Sequence, residues 1–467
     1  NLGNMKAGTS LVNRNEHYQR SINSLFGSAE FSFREYLFLT FTGRNDWASV
    51  LPLNNNSFFY PSITVSAVLS DMLPIKSNTL NFLKVRGGWA QVGSNGPLDP
   101  GEIHPVYELS SAPWSGNTFA EFPNTLNNAN IKSQTTTGYE GGLELRMFSN
   151  RLRFDFTYYD QTSVDLVLPV QVSTSSGVGY VWDNVGELNN KGVEVQLSGT
   201  LIETANKDFA LDFGINFAKN NNMVLKAGKD NENDEETLLI GNLWNMNLEA
   251  REGYAYGAIV GTALSRTESG EVIYTNGLPD LGETEVLGGI QPDWTGGLSL
   301  GITYKGLNLG GLIDTKMGGN IYSMTTAWGR YAGVLAETLE GRETGIVGDG
   351  VMLKDDVYVP NDVVVSAEVF NHGAYGDQIV ETSVFDASYV KLRELTLSYN
   401  LPRSVVSQIG LENVNFGVIG RNLAILYKRA PHIDPESAFD SSNEMQGMEF
   451  GQLPSARSIG LSVNVKF

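Results

Sequence analysis

The end of the chain, residues 457–467, alternates apolar and polar residues with a period of two. Its apolar positions are Ile459, Leu461, Val463, Val465 and Phe467, and small or polar residues stand between them. Successive side chains of a β-strand point to opposite sides of the sheet, so this pattern predicts a strand with one apolar face. The same alternation recurs along the whole chain without helical spans between its occurrences. The sequence therefore predicts an all-β fold.

About thirteen strands follow from this pattern. They are predicted at 22–33, 36–42, 59–69, 83–89, 137–148, 152–164, 192–201, 209–217, 298–304, 307–313, 389–401, 414–419 and 457–467. Short connections alternate with long ones, as in membrane barrels with short turns at one rim and long loops at the other. With Phe467 at the short-turn rim, the alternation holds back to the first strand, provided that 220–292 adds no net crossing. The stretch 70–81 is then a longer turn at that rim.

The alternation also bears on whether the protein spans a membrane. No run approaches the ~18 apolar residues that a membrane helix needs, although 41% of the residues are hydrophobic. Lipid satisfies no backbone group, so spanning strands close into a barrel with one face toward hydrocarbon and the other toward a wet lumen. We predict a transmembrane antiparallel β-barrel, and a soluble β-protein is the alternative. Because single-chain bacterial barrels have even strand numbers, we expect further strands before Asn1.

Charge and composition exclude several kinds of chemistry. The net charge of −20 disfavours nucleic acid or an anionic lipid surface as the partner. Cysteine is absent, and His17, His104, His372 and His432 lie far apart in predicted loops without metal-ligand spacing. We predict no catalytic site, no metal and no cofactor. The acidic run 229–236 is interpreted as a solvated loop, with a divalent cation held between loops as the alternative.

Aromatic residues on the predicted long loops are the candidate ligand contacts. Exposed aromatic faces stack on sugar rings or on peptide side chains. The candidates are Trp114, Trp182, Trp244, Trp328 and Tyr331. For each residue alone, packing against its own loop or against a partner protein is the alternative.

From about Ser24 to Phe467 the chain resembles the C-terminal barrel of SusC-like TonB-dependent transporters of Bacteroidota. The motifs that carry the resemblance are SLFGSAEFSF, REYLFLTFTGRNDW, FFYPSITVSAVLSD, LNFLKVRGGWAQVG, NVGELNNKGVEVQL, YVKLRELTLSYNLP and GRNLAIL. The resemblance implies a 22-stranded outer-membrane barrel, an N-terminal plug, a TonB box and a SusD-like surface lipoprotein as partner. It also implies active import of glycan or peptide fragments, driven through the TonB complex. The terminal Phe467 resembles the aromatic residue that the outer-membrane assembly machinery reads.

Two departures from the family pattern shape the expected domain organisation. The chain shows neither a plug nor a TonB box, and thirteen strands leave about nine of the family's 22 unaccounted for. We therefore expect residues 1–467 to be the C-terminal part of a transporter barrel, with the plug and the N-terminal strands outside this chain. Residues 276–285 stand where many members carry a DxNxDG segment, and that spacing is absent here. The segment 431–435 (PHIDP) is similar to a family loop but is assigned no chemistry.

Two other classes of function stay open at this point. A passive porin or structural barrel predicts ungated conductance without a partner. A secreted adhesin or hydrolase predicts solubility without detergent and, for the hydrolase, acidic residues clustered at a cleft. The sequence shows no such cluster.

Overall fold

Thirteen antiparallel strands form one continuous sheet, which we call the wall. The computed structural model describes residues 19–73, 75, 77, 79–101, 106–109, 115, 117, 119–206, 208–228, 237–374, 379–437, 439, 442 and 445–467. The wall strands are β1 (Ile22–Phe33), β2 (Leu37–Ala48), β3 (Ser57–Val68), β4 (Leu80–Ser94), β5 (Gln134–Met147), β6 (Leu152–Val164), β7 (Glu187–Glu203), β8 (Phe209–Lys226), β9 (Trp294–Tyr304), β10 (Leu307–Met317), β11 (Tyr389–Asn400), β12 (Asn413–Lys428) and β13 (Ser458–Lys466). They pair in chain order. Each predicted strand coincides with one of them, so the all-β prediction is confirmed.

The register of the wall separates an apolar face from a polar face. Across β5 to β10, consecutive register partners on one face are Leu145, Phe154, Leu197, Ile215, Leu298 and Ile313. The neighbouring row, on the opposite face, consists of Glu144, Asp155, Gln196, Asn216, Gly297 and Asp314. A row of aliphatic and aromatic side chains beside a row of polar ones is what lipid on one side and a wet lumen on the other require.

Ion pairs cross the lumen face of the wall. The Arg86 guanidinium binds both carboxylate oxygens of Asp155 at 3.0 and 2.8 Å and donates to Thr157 at 2.6 Å. This guanidinium lies over Gly142, where a Cβ would stand 2.6 Å from Arg86 Nε, so a larger residue there would displace the arginine. On β11 and β12, Arg421 binds Glu394 at 2.9 Å. On this face Asp155 and Glu394 are therefore each paired with an arginine of a neighbouring part of the sheet.

Several wall strands run further than the alternation indicated. β2 continues through the polar GRNDW segment, where Arg44 and Tyr60 each bind Asp46 at 2.7 Å. β8 continues through an asparagine run, where Asn190 accepts from Asn220 and Asn222. Near a rim, cross-strand hydrogen bonds between polar side chains extend the ladder, and such pairs leave no apolar periodicity in the sequence.

The wall has two open edges. In the described part of the chain, β1 pairs only with β2 and β13 only with β12. Every residue of β1 is exposed, on both faces. An open edge leaves a row of backbone donors and acceptors unpaired, which a closed barrel does not do.

The two rims of the wall differ in the length of their connections, as predicted. The connections at residues 34–36, 148–151, 204–208 and 305–306 are short turns at one rim, where α1 (Leu69–Met72) and α4 (Arg403–Val406) occupy the two longer ones. Loops of up to about seventy residues leave the other rim, which we call the long-loop rim. The four-stranded sheet that spans 237–289 lies within one of these loops and adds no crossing.

The long loops carry their own secondary structure. Their strands are Glu108–Leu109, Ala120–Glu121, Thr125–Leu126, Val167–Gln171, Tyr180–Asn184, Thr237–Leu243, Met246–Arg251, Ala258–Leu264, Tyr274–Thr275, Leu278–Pro279, Leu281–Gly289, Asn320–Ser323, Val351–Lys354, Val357–Pro360, Val384–Asp386 and Met448–Glu449. Their α-helices are α2 (Met324–Tyr331) and α3 (Ala367–Val369). Over the described ranges, no helix is both long enough and apolar enough to cross a membrane.

Most of the buried hydrophobic residues lie in or beside these loops, at the long-loop rim. The largest cluster joins three loops and contains Leu243, Met246, Leu248, Ile259, Ile290, Tyr322, Met324, Ala327, Val380 and Met448. A second cluster packs Ala48, Val50, Leu51, Leu98, Ile131 and Val167. The long loops therefore form a packed assembly, which we call the loop assembly.

Candidate functional site

Three of the five aromatic residues predicted to contact ligand lie together on the loop assembly. Trp244 meets Trp328 edge to face, with ring centroids 5.8 Å apart, and Trp328 lies 5.5 Å from Tyr331. Phe450 completes the group, at 5.4 Å from Trp244 and 6.5 Å from Trp328. His372 stacks on Tyr331 at 3.7 Å. We call these five residues the aromatic cluster.

Short local structures place each ring of the aromatic cluster. Trp244 occupies the tight turn between two loop strands, with a left-handed φ of 53°. Trp328 and Tyr331 lie one turn apart on α2, where residues three apart share a face. Ser323 caps the start of the helix, and its hydroxyl accepts a hydrogen bond from the Thr326 N–H. The three rings thus come from elements that are fixed by backbone hydrogen bonds.

The aromatic cluster is accessible from outside while its base is buried. Trp244 is 48% exposed, and Trp328 and Tyr331 are each 39% exposed. Phe450 is half-buried and packs against the largest hydrophobic cluster of the loop assembly. Exposed aromatic faces on a rigid base provide apolar contact area at low entropic cost.

Polar groups border the aromatic cluster in an adjoining open pocket of about 640 Å³. Tyr331 and His372 line it together with Arg342 and Asn371. A few polar groups beside aromatic rings are typical of sites for small amphipathic ligands such as sugars and peptides.

Two side chains bind Glu337 close to α2, and one of them comes from a different loop. Arg330 on α2 donates to Glu337 Oε1 at 2.5 Å and to the Thr382 carbonyl at 2.6 Å. His432 Nε2 lies 3.0 Å from the other oxygen of Glu337. Burial raises the pKa of Glu337, but the hydrogen bonds from His432 and Arg330 outweigh it and hold this pKa below its ordinary value.

The PHIDP segment has a structural role that sequence reasoning missed. Asp434 accepts from the buried Lys391 Nζ at 2.6 Å and from Ser455 Oγ at 2.7 Å. Burial raises the pKa of Asp434, yet these hydrogen bonds prevail and lower the pKa to about 2. Glu436 also binds Lys391, at 2.6 Å. The segment therefore anchors the last long loop to β11. In the sequence, the anchor is visible only as the charged Lys391 within the otherwise alternating YVKLRE motif.

The other predicted site residues lie elsewhere. Trp182 belongs to the loop strand Tyr180–Asn184 and packs on the second hydrophobic cluster, away from the aromatic cluster. Trp114 and the acidic run 229–236 lie outside the described residues. Phe467 follows β13 at the short-turn rim and is 86% exposed, and its role as an assembly signal stays a prediction. Sequence reasoning missed Phe450, which no pattern distinguishes from other loop phenylalanines.

Nowhere in the described ranges do three or more His, Cys, Asp or Glu side chains come close enough to hold a metal ion.

Comparisons with known proteins agree with this architecture. A family profile described as "TonB dependent receptor-like, beta-barrel" matches residues 1–420. TonB-dependent receptor P3 of Formosa agariphila is 26% identical, over 95% of this chain and 45% of that protein. TonB-dependent receptor SusC of Bacteroides thetaiotaomicron is 22% identical, over 82% of this chain and 38% of that protein.

Solved structures with the same fold include the RagAB peptide importer in its "open-open" state. That structure has a TM-score of 0.76 at 18% identity, over 100% of this chain and 49% of that chain. This chain thus spans less than half the length of the relatives named above. Since the family profile covers most of its residues, the chain belongs to the β-barrel family of TonB-dependent receptors, which reside in the outer membrane.

Proposed function

We propose that this chain forms the C-terminal part of the barrel of an active outer-membrane importer of glycan or peptide fragments. Family membership supports this role, and so does the likeness of fold to a structure named as a peptide importer. The energy for import comes through the TonB complex, which acts on a plug. The two open edges of the wall suit pairing with further barrel strands, because their unpaired backbone groups need partners in lipid.

The aromatic cluster is the observation that carries the proposal. Trp244, Trp328 and Tyr331 face outward on the long-loop rim, where a substrate arrives from outside the cell. Their rings stack on a sugar ring or on an apolar peptide side chain, and the adjoining polar pocket satisfies its hydrogen-bonding groups. Trp114 and Trp182 stay predictions as further contacts.

A SusD-like surface lipoprotein is the proposed partner at the long-loop rim. The hairpin formed by Val351–Lys354 and Val357–Pro360 leaves Leu353, Val357 and Tyr358 exposed. A two-stranded hairpin is marginally stable alone in water, and an apolar surface of this kind is typical of a protein contact. A lid docked on the loops covers these side chains and encloses the substrate.

Uptake by cells that carry the whole receptor tests the proposal. Fluorescently labelled maltoheptaose and labelled tryptic peptides of casein serve as the two probes, each with and without a functional tonB gene. We expect one probe class to accumulate only when TonB is functional, and W328A to raise the KM of uptake about tenfold. Y254A is the matched control, because Tyr254 is an exposed loop aromatic outside the aromatic cluster.

Two outcomes contradict the proposal. TonB-independent passage of both probes would favour the passive porin or structural barrel. TonB-dependent uptake with an unchanged KM in W328A would retain the importer but remove the aromatic cluster as its binding site.

A further inference from the structure

Glu449 is a buried carboxylate in the loop assembly, next to the aromatic cluster. It is 1% exposed, and it forms no salt bridge with any of the described residues. Two hydroxyl groups satisfy it: Ser323 Oγ donates to Oε2 and Thr325 Oγ1 donates to Oε1, both at 2.7 Å. A carboxylate without a cation is expensive to bury, and an apolar residue of similar size would avoid this cost.

The two hydroxyl groups belong to the first residues of α2. Ser323 caps the helix by accepting from the Thr326 N–H at 3.1 Å, and Thr325 lies in the first turn. The carboxylate therefore lies at the N-terminal end of α2. Thr325 Oγ1 also accepts from the Gly451 N–H at 2.6 Å, so helix and loop are bonded in both directions.

The backbone on both sides of Glu449 is hydrogen-bonded to the segment around the start of α2. The loop strand Met448–Glu449 pairs in parallel with Asn320–Ser323, at Tyr322 with Met448 and at Ser323 with Glu449. Phe450 follows at once, and its ring contacts Trp244 and Trp328. The carboxylate thus fixes the last residue before the ring that completes the aromatic cluster, although Glu449 lies 126 positions after Ser323 in the chain.

We propose that Glu449 is the positioning residue of the aromatic cluster, holding Phe450 against Trp244 and Trp328 so that the three rings form one binding surface. This inference rests on the proposed function, since the aromatic cluster is a substrate site only under it. Glu449 touches no substrate and acts through Phe450. Replacing a residue of this kind lowers the affinity for substrate, because the ring that it held can then move.

A double-variant cycle in the whole receptor tests the inference, with KM and kcat of uptake as readouts. The probe is whichever of maltoheptaose and the casein peptides the wild type imports. We expect E449A and F450A each to raise KM about tenfold with kcat unchanged. Because Glu449 acts through Phe450, we expect the double variant to have the KM of F450A alone. If the two residues acted independently, their effects on KM would multiply.

Two further variants separate positioning from general loop support. E449Q keeps one acceptor oxygen for a hydroxyl group, so its KM stays within about threefold of the wild type. D386N removes a different loop carboxylate, one that is paired with Arg429, and leaves KM unchanged. If E449A fails to assemble in the outer membrane, T325V takes its place, because it removes the hydroxyl that binds both Glu449 and the Gly451 N–H at little change in volume. We expect T325V to raise KM, and an unchanged KM would reject the positioning role.

The outcomes distinguish this inference from the proposed function. An unchanged KM in W328A rejects the aromatic cluster as a substrate site. A raised KM in W328A and F450A together with an unchanged KM in E449A rejects the positioning role alone. A double variant in which the two effects multiply also rejects it, because Glu449 would then act independently of Phe450.

Discussion

The wall and the loop assembly place their apolar residues in opposite ways. On the wall, Leu197 faces outward and its neighbour Gln196 faces the lumen, and neither lies in a protein core. In the loop assembly, Tyr322 and Met324 are fully buried among side chains from three loops. The wall depends on lipid to cover its apolar face, whereas the loop assembly covers its own.

This difference determines what a substitution does in each region. On the wall the decisive property is which face a side chain points to, because the two faces meet different solvents. In the loop assembly the decisive property is shape, because a packed core tolerates neither cavities nor unpaired charges.

The largest expected effect is a cavity in the loop assembly. Y322A removes a fully buried ring and destabilises the loops by about 3–5 kcal/mol, because the surrounding side chains cannot collapse completely. Hydrogen exchange of 237–264 and 320–331 in detergent measures the loss, and Y358A, on an exposed loop tyrosine, is the control. A matching fall in the melting temperature of the wall would show that the two regions unfold as one unit.

A charge on either face of the wall tests the difference between those faces. L197R places a cation toward hydrocarbon and destabilises the wall by about 2–4 kcal/mol near the bilayer midplane, whereas Q196R faces the lumen and has little effect. Denaturant unfolding in lipid vesicles measures both variants. Equal effects would contradict the assignment of the faces.

The anchor at Asp434 makes the last long loop sensitive to acid. The pKa of Asp434 lies near 2, below its ordinary value of 3.8, so its stabilisation is complete above about pH 4 and is lost as the pH falls toward 2. D434N loses about 2 kcal/mol at pH 7 and shows a weaker dependence on acid, because Lys391 keeps Glu436 as partner.

Proteolysis of the loop between pH 5 and pH 2.5 measures this dependence. E412Q, at an exposed ion pair with Lys466 on the other rim, is the control. An acid response of the loop that is the same in D434N and in the wild type would exclude Asp434 as its source.

The smallest expected effect is at the half-exposed pair between loops. H432A removes one of two partners of Glu337 and costs less than about 1 kcal/mol, because Arg330 still binds the carboxylate and water screens the pair. E337Q loses both partners and has the larger effect. Hydrogen exchange of 336–339 distinguishes them, and equal protection in the two variants would contradict this ranking.

The sequence predicted the wall almost completely and the loop assembly hardly at all. Alternation is local and has a fixed period, so thirteen strands and the two rims followed from it. Trp244, Trp328 and Tyr331 could be named as candidates because aromatic residues in predicted long loops are visible in the sequence itself. That they meet could not be predicted, since no period relates the two loops that hold them.

The residues that sequence reasoning missed share one physical cause. Glu449 binds Ser323 across 126 positions, and Lys391 binds Asp434 across 43. Each is an ordinary charged residue by itself, and only the packed loops bring it to its partner. Contacts of this kind depend on how separate loops pack, which neither propensity nor patterning encodes.

The short parallel pair of Met448–Glu449 with Asn320–Ser323 has a consequence for how the protein is assembled. It closes the largest hydrophobic cluster of the loop assembly with residues that follow twelve of the thirteen wall strands. This cluster therefore cannot form until residues 243–449 have all reached the long-loop rim, and closing so long a loop is slow. We expect the strands of the wall to be inserted first and the loop assembly to pack afterwards, so the aromatic cluster is completed only at a late step of folding.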